Sequence, residues 1–402
     1  MGRYQRSGTA VRPSASPRTW KDWLVRKKKY LIVSRSFYPA NSPRANRTTE
    51  LAKELCRQGH TVTVLTPHHP EQDALAAEYG MAMADLGQDL WPEVPISFRG
   101  KQNMMLRAIR RALLLAIDYP SIQLLWRTAR ALERLPRHDV LISIAAPHPV
   151  HWGVARAQRR GRLPADVWLA DCGDPYMGRE NDSFSVMPHF SFPEKAFCRG
   201  ADAITVPVEG ARDAYYPEFR SKIHVIPQGF RFADYEHLKM ITPLQDGVVR
   251  FAYAGLFIPG RRDPTRFLQE LAERKEVFEF HVFTTSPMLV EPFAKRDPRI
   301  IVRDVLPRRR VMEELASMDF VVNFENVGAR QTPSKLIDYW LCGRPILNLR
   351  DHDLPTEVIH QFLAGRYDAA LQIDRPERYD ISNVVCQFDR LADESLARGL
   401  QR

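Results

Sequence analysis

The chain has few cysteines and no long apolar run. Cys56, Cys172, Cys198, Cys342 and Cys386 are scattered without a C-x-x-C pair. That argues against a zinc site and against a disulfide framework, and a reducing compartment is expected. The longest apolar runs, such as residues 112–117, fall far short of the ~20 residues a membrane-spanning helix needs. Any membrane contact is therefore expected at the surface. The N-terminus is basic, but no apolar run leads to a small-residue cleavage site, so no secretory signal is read. There is no G-x-x-x-x-G-K-[ST], which speaks against a nucleotide-hydrolysing loop. H-E-x-x-H and G-x-S-x-G are also missing, and no G-x-G-x-x-G follows the first strand pattern.

The composition is that of a folded protein. The 402 residues are 44% apolar and 26% charged, and at ~100–200 residues per domain they suggest two or three domains. The formal net charge is +10, unevenly placed. Residues 1–29 hold nine Lys/Arg against one Asp, and residues 100–164 hold twelve against three acids. Localised positive charge implies an anionic partner: nucleic acid, anionic lipid or a phosphate-bearing substrate. Residues 1–28, rich in Arg, Ser and Pro and without an apolar period, read as a basic flexible tail.

Order begins at Tyr30, where residues 30–34 form a buried-strand pattern. A helix is expected over 44–58, ended by Gly59, and a strand over 61–65; this βαβ unit predicts a parallel sheet covered by helices. Further strands are expected at 140–144, 167–170, 203–206 and 223–226. A polar, loop-like stretch near 234–246 follows. A second series then has strands at 251–254, 278–284, 300–303, 320–323 and 345–349, with a helix over 265–274. Two such series predict an α/β protein with two Rossmann-like, doubly wound domains facing across a cleft. Ligands in such sheets sit beyond the carboxyl ends of the strands.

Two segments carry chemistry. In the stretch from Tyr253 to Pro264, Gly255 follows a strand, and Arg261 and Arg262 lie just before a helix. The arginine fork suits phosphate oxygens, and a helix N-terminus favours anions. In the stretch from Thr332 to Pro345, Ser334 can cap a helix over 334–342 with Lys335 in its first turn. The helix dipole disfavours a cation there unless an anion is nearby. Asp338 lies one turn further on and could accept hydrogen bonds from sugar hydroxyls.

Together these segments resemble the donor site of glycosyltransferase family 4, with its two-Rossmann-domain GT-B architecture. Pro333-Ser-Lys-Leu336 through Pro345 is similar to the P-S-K-L-type motif of its surface-polysaccharide members. Phe37-Tyr-Pro39, Gln58-Gly-His-Thr-Val62 and Val225-Ile-Pro-Gln-Gly-Phe230 resemble other family segments in the right order. The resemblance spans roughly residues 30–370. It implies that Arg262 and Lys335, with Arg261 as the alternative for Arg262, bind the donor diphosphate and stabilise the departing nucleotide. Asp338 would hold the ribose, where the family usually has glutamate. Gly255 would let the backbone approach the phosphates. The chain departs from the family pattern in two places. Arg330 stands where an acidic partner eight residues before Asp338 is common, and the glycine pair of the first loop is replaced by Asn41-Ser-Pro-Arg-Ala-Asn46. Arg44 and Arg47 are the candidates to replace those contacts.

The acceptor side is expected from the first domain, residues 29–235, and the donor side from residues 236–375; residues 376–402 are expected as a helix returning to the first domain. His148 or His151 could contact the transferred sugar, and Asp171 or Asp174 could orient the acceptor hydroxyl or act as its base. Between Met104 and Ile117, Arg107, Arg110 and Arg111 share one helix face, with Met105, Leu106, Ile109 and Leu113 on an apolar side. Such a helix reads as membrane-surface docking or binding of a phosphate-linked lipid.

The expected function is retaining, metal-independent transfer of a sugar from a UDP- or GDP-linked donor. The expected acceptor is lipid-linked or a polysaccharide, at the cytoplasmic side and peripheral to the inner membrane face. No cofactor beyond this co-substrate and no nucleic acid are expected. The rival readings are a same-fold nucleotide-sugar epimerase or hydrolase and a non-catalytic basic nucleic-acid-binding protein. The second predicts steeply salt-dependent DNA or RNA binding.

Overall fold

The computed structural model describes residues 27–40, 42–91, 102–173, 175–178, 186–260, 262–325, 334–350 and 354–400. Two parallel sheets organise them. The first has seven strands in the order β3-β2-β1-β4-β5-β6-β7: β1 (Lys29–Ser34), β2 (Thr61–Thr66), β3 (Ala82–Asp85), β4 (His138–Ile144), β5 (Ala165–Asp171), β6 (Ala203–Val206) and β7 (Ile223–Val225). The second has five strands in the order β10-β9-β8-β11-β12: β8 (Val249–Ala254), β9 (Phe278–Phe283), β10 (Ile300–Arg303), β11 (Phe320–Phe324) and β12 (Ile346–Leu349). Each sheet is covered by helices, because parallel strands joined by crossovers bury both faces.

The expected strands form within one or two residues of their sequence limits. Their patterns are continuous apolar runs: Leu31, Ile32 and Val33 are fully buried, and so are Val140, Leu141 and Ile142. In register, Tyr30 faces Val62 on one side and Val140 on the other. In the second sheet Phe251 lies between Phe280 and Phe320, with ring centroids 4.9 and 4.5 Å away. Strand β3, half exposed at the sheet edge, has no apolar run to announce it. Part of the loop-like stretch expected near 234–246 is instead taken up by 3-10 turns over Phe232–Met240, which bury Leu238 beside Met312.

The first helix, Pro43–Arg57, starts after Ser42, whose Oγ accepts from the Ala45 N–H at 3.1 Å. Leu51, Ala52 and Leu55 face the sheet. The last helix, Ile381–Leu400, packs Ile381, Val384, Val385 and Phe388 into that same core. A buried polar network ties it down: the Lys28 ammonium donates to Asp389 at 2.8 Å and to Asp393 at 3.0 Å, and the Tyr30 hydroxyl donates to Asp389 at 2.5 Å. Among the described residues no helix is long and apolar enough to cross a membrane.

Candidate active site

The second sheet builds a pair of cations at the carboxyl end of β8. The strand delivers Tyr253 and Ala254, whose N–H donates to the Tyr339 hydroxyl at 3.1 Å, and then turns at Gly255. Gly255 has φ +153, a conformation few side-chain-bearing residues adopt. The Lys335 ammonium lies against its Cα, and a Cβ there would come within 1.5 Å of Nζ. The room made by the missing side chain is thus filled by Lys335, not left open for backbone approach to phosphates.

Lys335 stands in the first turn of the Ser334–Leu341 helix, its Nζ 3.4 Å from the Tyr253 hydroxyl and 4.9 Å from the ring centroid. Arg262 reaches the same place because the chain folds back on itself: the Arg262 N–H donates to the Ile258 carbonyl at 2.9 Å, and the Ile258 N–H donates to the Arg262 carbonyl at 3.1 Å. Its Nη1 points at the Leu256 carbonyl 3.5 Å away, and its buried Nε–H has no acceptor. Burial, and then the neighbouring Arg262 charge, push the Lys335 ammonium down to about 8, against a smaller opposing pull from Asp338. Neither cation forms an ion pair with a carboxylate among the described residues. Two converging charges with no carboxylate counter-ion among the described residues have the chemistry that a polyanion would neutralise.

Asp338 is not the open carboxylate expected. Arg308 binds it through two guanidinium nitrogens, one of them 3.4 Å from Oδ2. Burial raises the Asp338 pKa, and Arg308 opposes that rise. Arg308 also lies over the rings of Phe230 and Tyr235, 5.0 and 5.2 Å from their centroids, and donates to the Tyr235 hydroxyl. Nothing in the run Arg308-Arg-Arg310 distinguishes its first member. Only the fold turns Arg308 inward, while Arg309 and Arg310 pair with Glu313 at the surface.

The first sheet overturns several expected acceptor contacts. Arg47 and Asp171 bind each other: Nε and Nη2 donate to the two carboxylate oxygens at 3.0 and 2.8 Å, with the side chains 3% and 1% exposed. Thr205 adds a hydrogen bond to Asp171 at 2.6 Å, and Arg47 also donates to the Pro227 and Ile226 carbonyls. Burial disfavours the Asp171 charge, but Arg47 outweighs it and holds the carboxyl below the usual range. This is a structural clamp joining the first helix to the ends of β5, β6 and β7.

His151 is also corrected. It is fully buried, with Nδ1 2.8 Å from the Ser143 hydroxyl and Nε2 3.3 Å from the Cys172 sulfur, and burial pushes it down to about 3. It is a neutral core histidine. His148 is 3% exposed, its ring edge-on to Tyr176 at 5.1 Å, so it presents no open surface to a sugar. Arg44 is only half-buried, on the carboxyl side of the sheet, with its guanidinium against Gly173. Asp174, Arg261 and the Ser334 side chain lie outside the described residues.

Two domains, each built on a parallel sheet covered by helices, give the chain the GT-B architecture of its structural neighbours. Residues 45–229 match the family model described as a glycosyl transferase 4-like domain. Solved structures share the fold at low identity. A glycosyltransferase from Rickettsia africae has 10% identity and a TM-score of 0.56, covering 92% of this chain and 99% of its own. Anabaena HepE, in complex with UDP, has 11% identity and a TM-score of 0.56, covering 91% and 100%. The lipopolysaccharide outer core galactosyltransferase WaaB has 10% identity and a TM-score of 0.50, covering 92% and 99%. No curated protein matches the chain.

Proposed function

We propose that the protein transfers a sugar, with retention and without a metal, from a UDP- or GDP-linked donor to a lipid-linked or polysaccharide acceptor of cell-surface glycan synthesis. The observation that carries this reading is the pair Lys335 and Arg262, two partly buried cations that both reach the Tyr253 hydroxyl and, among the described residues, have no ion pair with a carboxylate. A donor diphosphate supplies the missing counter-charge. As the glycosidic C–O bond breaks, negative charge grows on the departing diphosphate, and cations already in place stabilise it without reorganising. Likeness in fold to HepE, which was crystallised with UDP and with UDP-glucose, and to WaaB supports the donor and acceptor classes.

The test is thermal stability with UDP, GDP, ADP and CMP. A ligand at ~100 times its dissociation constant stabilises by about 2.7 kcal/mol. One diphosphate is expected to raise the melting temperature, and no shift with any at high concentration overturns the donor site. Retention is then read from the anomeric configuration of the product by NMR.

Donor affinity is expected to depend on pH through Lys335. Only the ammonium binds phosphate, and in the empty site it titrates near 8 rather than at the ordinary 10.5. Nucleotide affinity therefore holds below pH 8 and falls above it by up to about tenfold per pH unit. Calorimetry at pH 7 and 9.5 measures this; an unchanged constant refutes it. Stability of the empty protein moves the other way. Between about 8 and 10.5 the unfolded chain holds the extra proton, so this lysine's contribution rises with pH.

The Gln102–Ile117 helix supports peripheral attachment to an anionic membrane. Met105, Leu106 and Ile109 are exposed, Met105 by 67%, on the same helix as Arg107, Arg110 and Arg111. Replacing the three arginines with Gln is expected to weaken sedimentation with phosphatidylglycerol vesicles by roughly 100-fold, at about 1 kcal/mol per charge. Equal binding by the triple variant removes the membrane role.

A further inference from the structure

We propose that Arg308 is a positioning residue for donor binding: it keeps the Asp338 carboxylate from pairing with Lys335, and so leaves the Lys335 ammonium to the donor diphosphate. The inference rests on reading that ammonium as part of the donor site. Lys335 and Asp338 stand three residues apart on the Ser334–Leu341 helix. Residues at that spacing are neighbours on a helix surface, with Cβ atoms about 5–6 Å apart. A lysine and a carboxylate so placed are ready partners, and a lysine already paired attracts phosphate less. Among the described residues, however, these two form no ion pair with each other. Asp338 goes to Arg308, at the start of the Arg308–Ala316 helix, which binds both carboxylate oxygens. Lys335 goes to the Tyr253 hydroxyl, 3.4 Å from its Nζ.

The Arg308 guanidinium is fixed from several sides. It lies over the rings of Phe230 and Tyr235 and donates to the Tyr235 hydroxyl through Nη1. Phe230 is itself held where the chain leaving the first domain meets the chain returning to it. Its N–H donates to the Tyr379 carbonyl and its carbonyl accepts from the Ile381 N–H, both at 2.8 Å. A cation in the first turn of a helix is disfavoured by the helix dipole, and the Arg308–Ala316 helix has no acidic residue in that turn. Asp338 supplies the charge that this turn lacks. Lys335 is faced by Tyr253 from β8, Arg262 from the loop after it, and Asp338 from its own helix. Of these, Asp338 is the group that would neutralise the ammonium, and Arg308 has already taken it.

The experiment uses the full chain and two readouts. One is the titration midpoint of Lys335, followed by competitive acetylation with acetic anhydride and peptide mass spectrometry. The other is affinity for pyrophosphate at pH 7, a probe with no ribose to contact Asp338. Wild type is compared with Arg308→Met, Arg308→Lys, Asp338→Asn and the double variant Arg308→Met with Asp338→Asn. In Arg308→Met the stranded carboxylate is expected to pair with Lys335. Its midpoint then rises from about 8 by about one pH unit or more, and pyrophosphate binds about tenfold more weakly. Arg308→Lys keeps a cation beside Asp338 and is expected to recover much of both. Asp338→Asn is expected to change pyrophosphate affinity little by itself, yet to restore it in the Arg308→Met background. A merely structural arginine would lower the melting temperature and leave the Lys335 midpoint in place. The proposal is overturned by a midpoint that stays near 8 in Arg308→Met, as when Asp338 takes up a proton instead. It is also overturned if Asp338→Asn acts equally with and without Arg308. If Arg308→Met does not fold, the double variant strands no charge and decides alone: weak pyrophosphate binding there overturns the proposal. If no form binds pyrophosphate while the midpoint moves as expected, the donor reading fails and the control of Lys335 by Arg308 stands.

Discussion

Lys335→Ala is expected to weaken binding of the cognate nucleoside diphosphate by about 10–100-fold while leaving the fold intact. A hydrogen bond to a charged group contributes roughly 1.5–3 kcal/mol, more when its partner is buried with it. In the empty protein Lys335 adds no such stability, since its neighbours are the Tyr253 hydroxyl, the Gly255 Cα and a second cation. Removing it relieves repulsion from Arg262, so the melting temperature without ligand is expected to hold or rise. Arg262→Ala is expected to produce a similar loss and also to raise the Lys335 pKa. The two effects will not add, because the cations share one ligand. Calorimetric titration with UDP and GDP, paired with thermal melts, measures both quantities. A large fall in melting temperature with unchanged nucleotide affinity contradicts the assignment, since it makes Lys335 a structural residue.

The largest loss of stability is expected at the opposite kind of arginine. Arg47→Met keeps much of the side-chain volume but leaves Asp171 as a buried carboxylate with only Thr205 for company. Breaking one partner of such a pair costs about 3–5 kcal/mol. The damage also spreads, because Arg47 holds the Ile226 and Pro227 carbonyls and lies 5.2 Å from the Phe388 ring of the last helix. The double variant Arg47→Met with Asp171→Leu is expected to recover much of the loss, because no charge is then stranded. Urea unfolding of the wild type, both single variants and the double variant closes the cycle. A single-variant loss under about 1 kcal/mol shows that the pair is solvated and not a clamp.

The two arginines and the two histidines show where the chain stops speaking for itself. Arg44 and Arg47 are three residues apart on one helix, and both read as anion contacts. Arg47 turns inward to a carboxylate 124 residues away, while Arg44 stays over Gly173. His148 and His151 both follow a strand, yet His151 is consumed by Ser143 and Cys172 inside the core. Asp338 was legible as a polar residue of the Ser334–Leu341 helix, but its partner Arg308 lies in a run of three arginines on another helix.

The sequence by itself determined the two series of strands, the first helix with its stop at Gly59, and the residue types and spacing that put Gly255, Arg262 and Lys335 under suspicion. These are local properties: a buried parallel strand is a short apolar run, and a cap or a helix-first-turn lysine is read within a few residues. Tertiary structure alone decided that Lys335 and Arg262 meet at the Tyr253 hydroxyl with no ion pair among the described residues, that Arg47 and Asp171 cancel, and that β3 closes the sheet edge. Whether a charge is free or spent depends on which distant residue faces it, and that is set by how strands and helices from separate parts of the chain pack, not by the residues on either side.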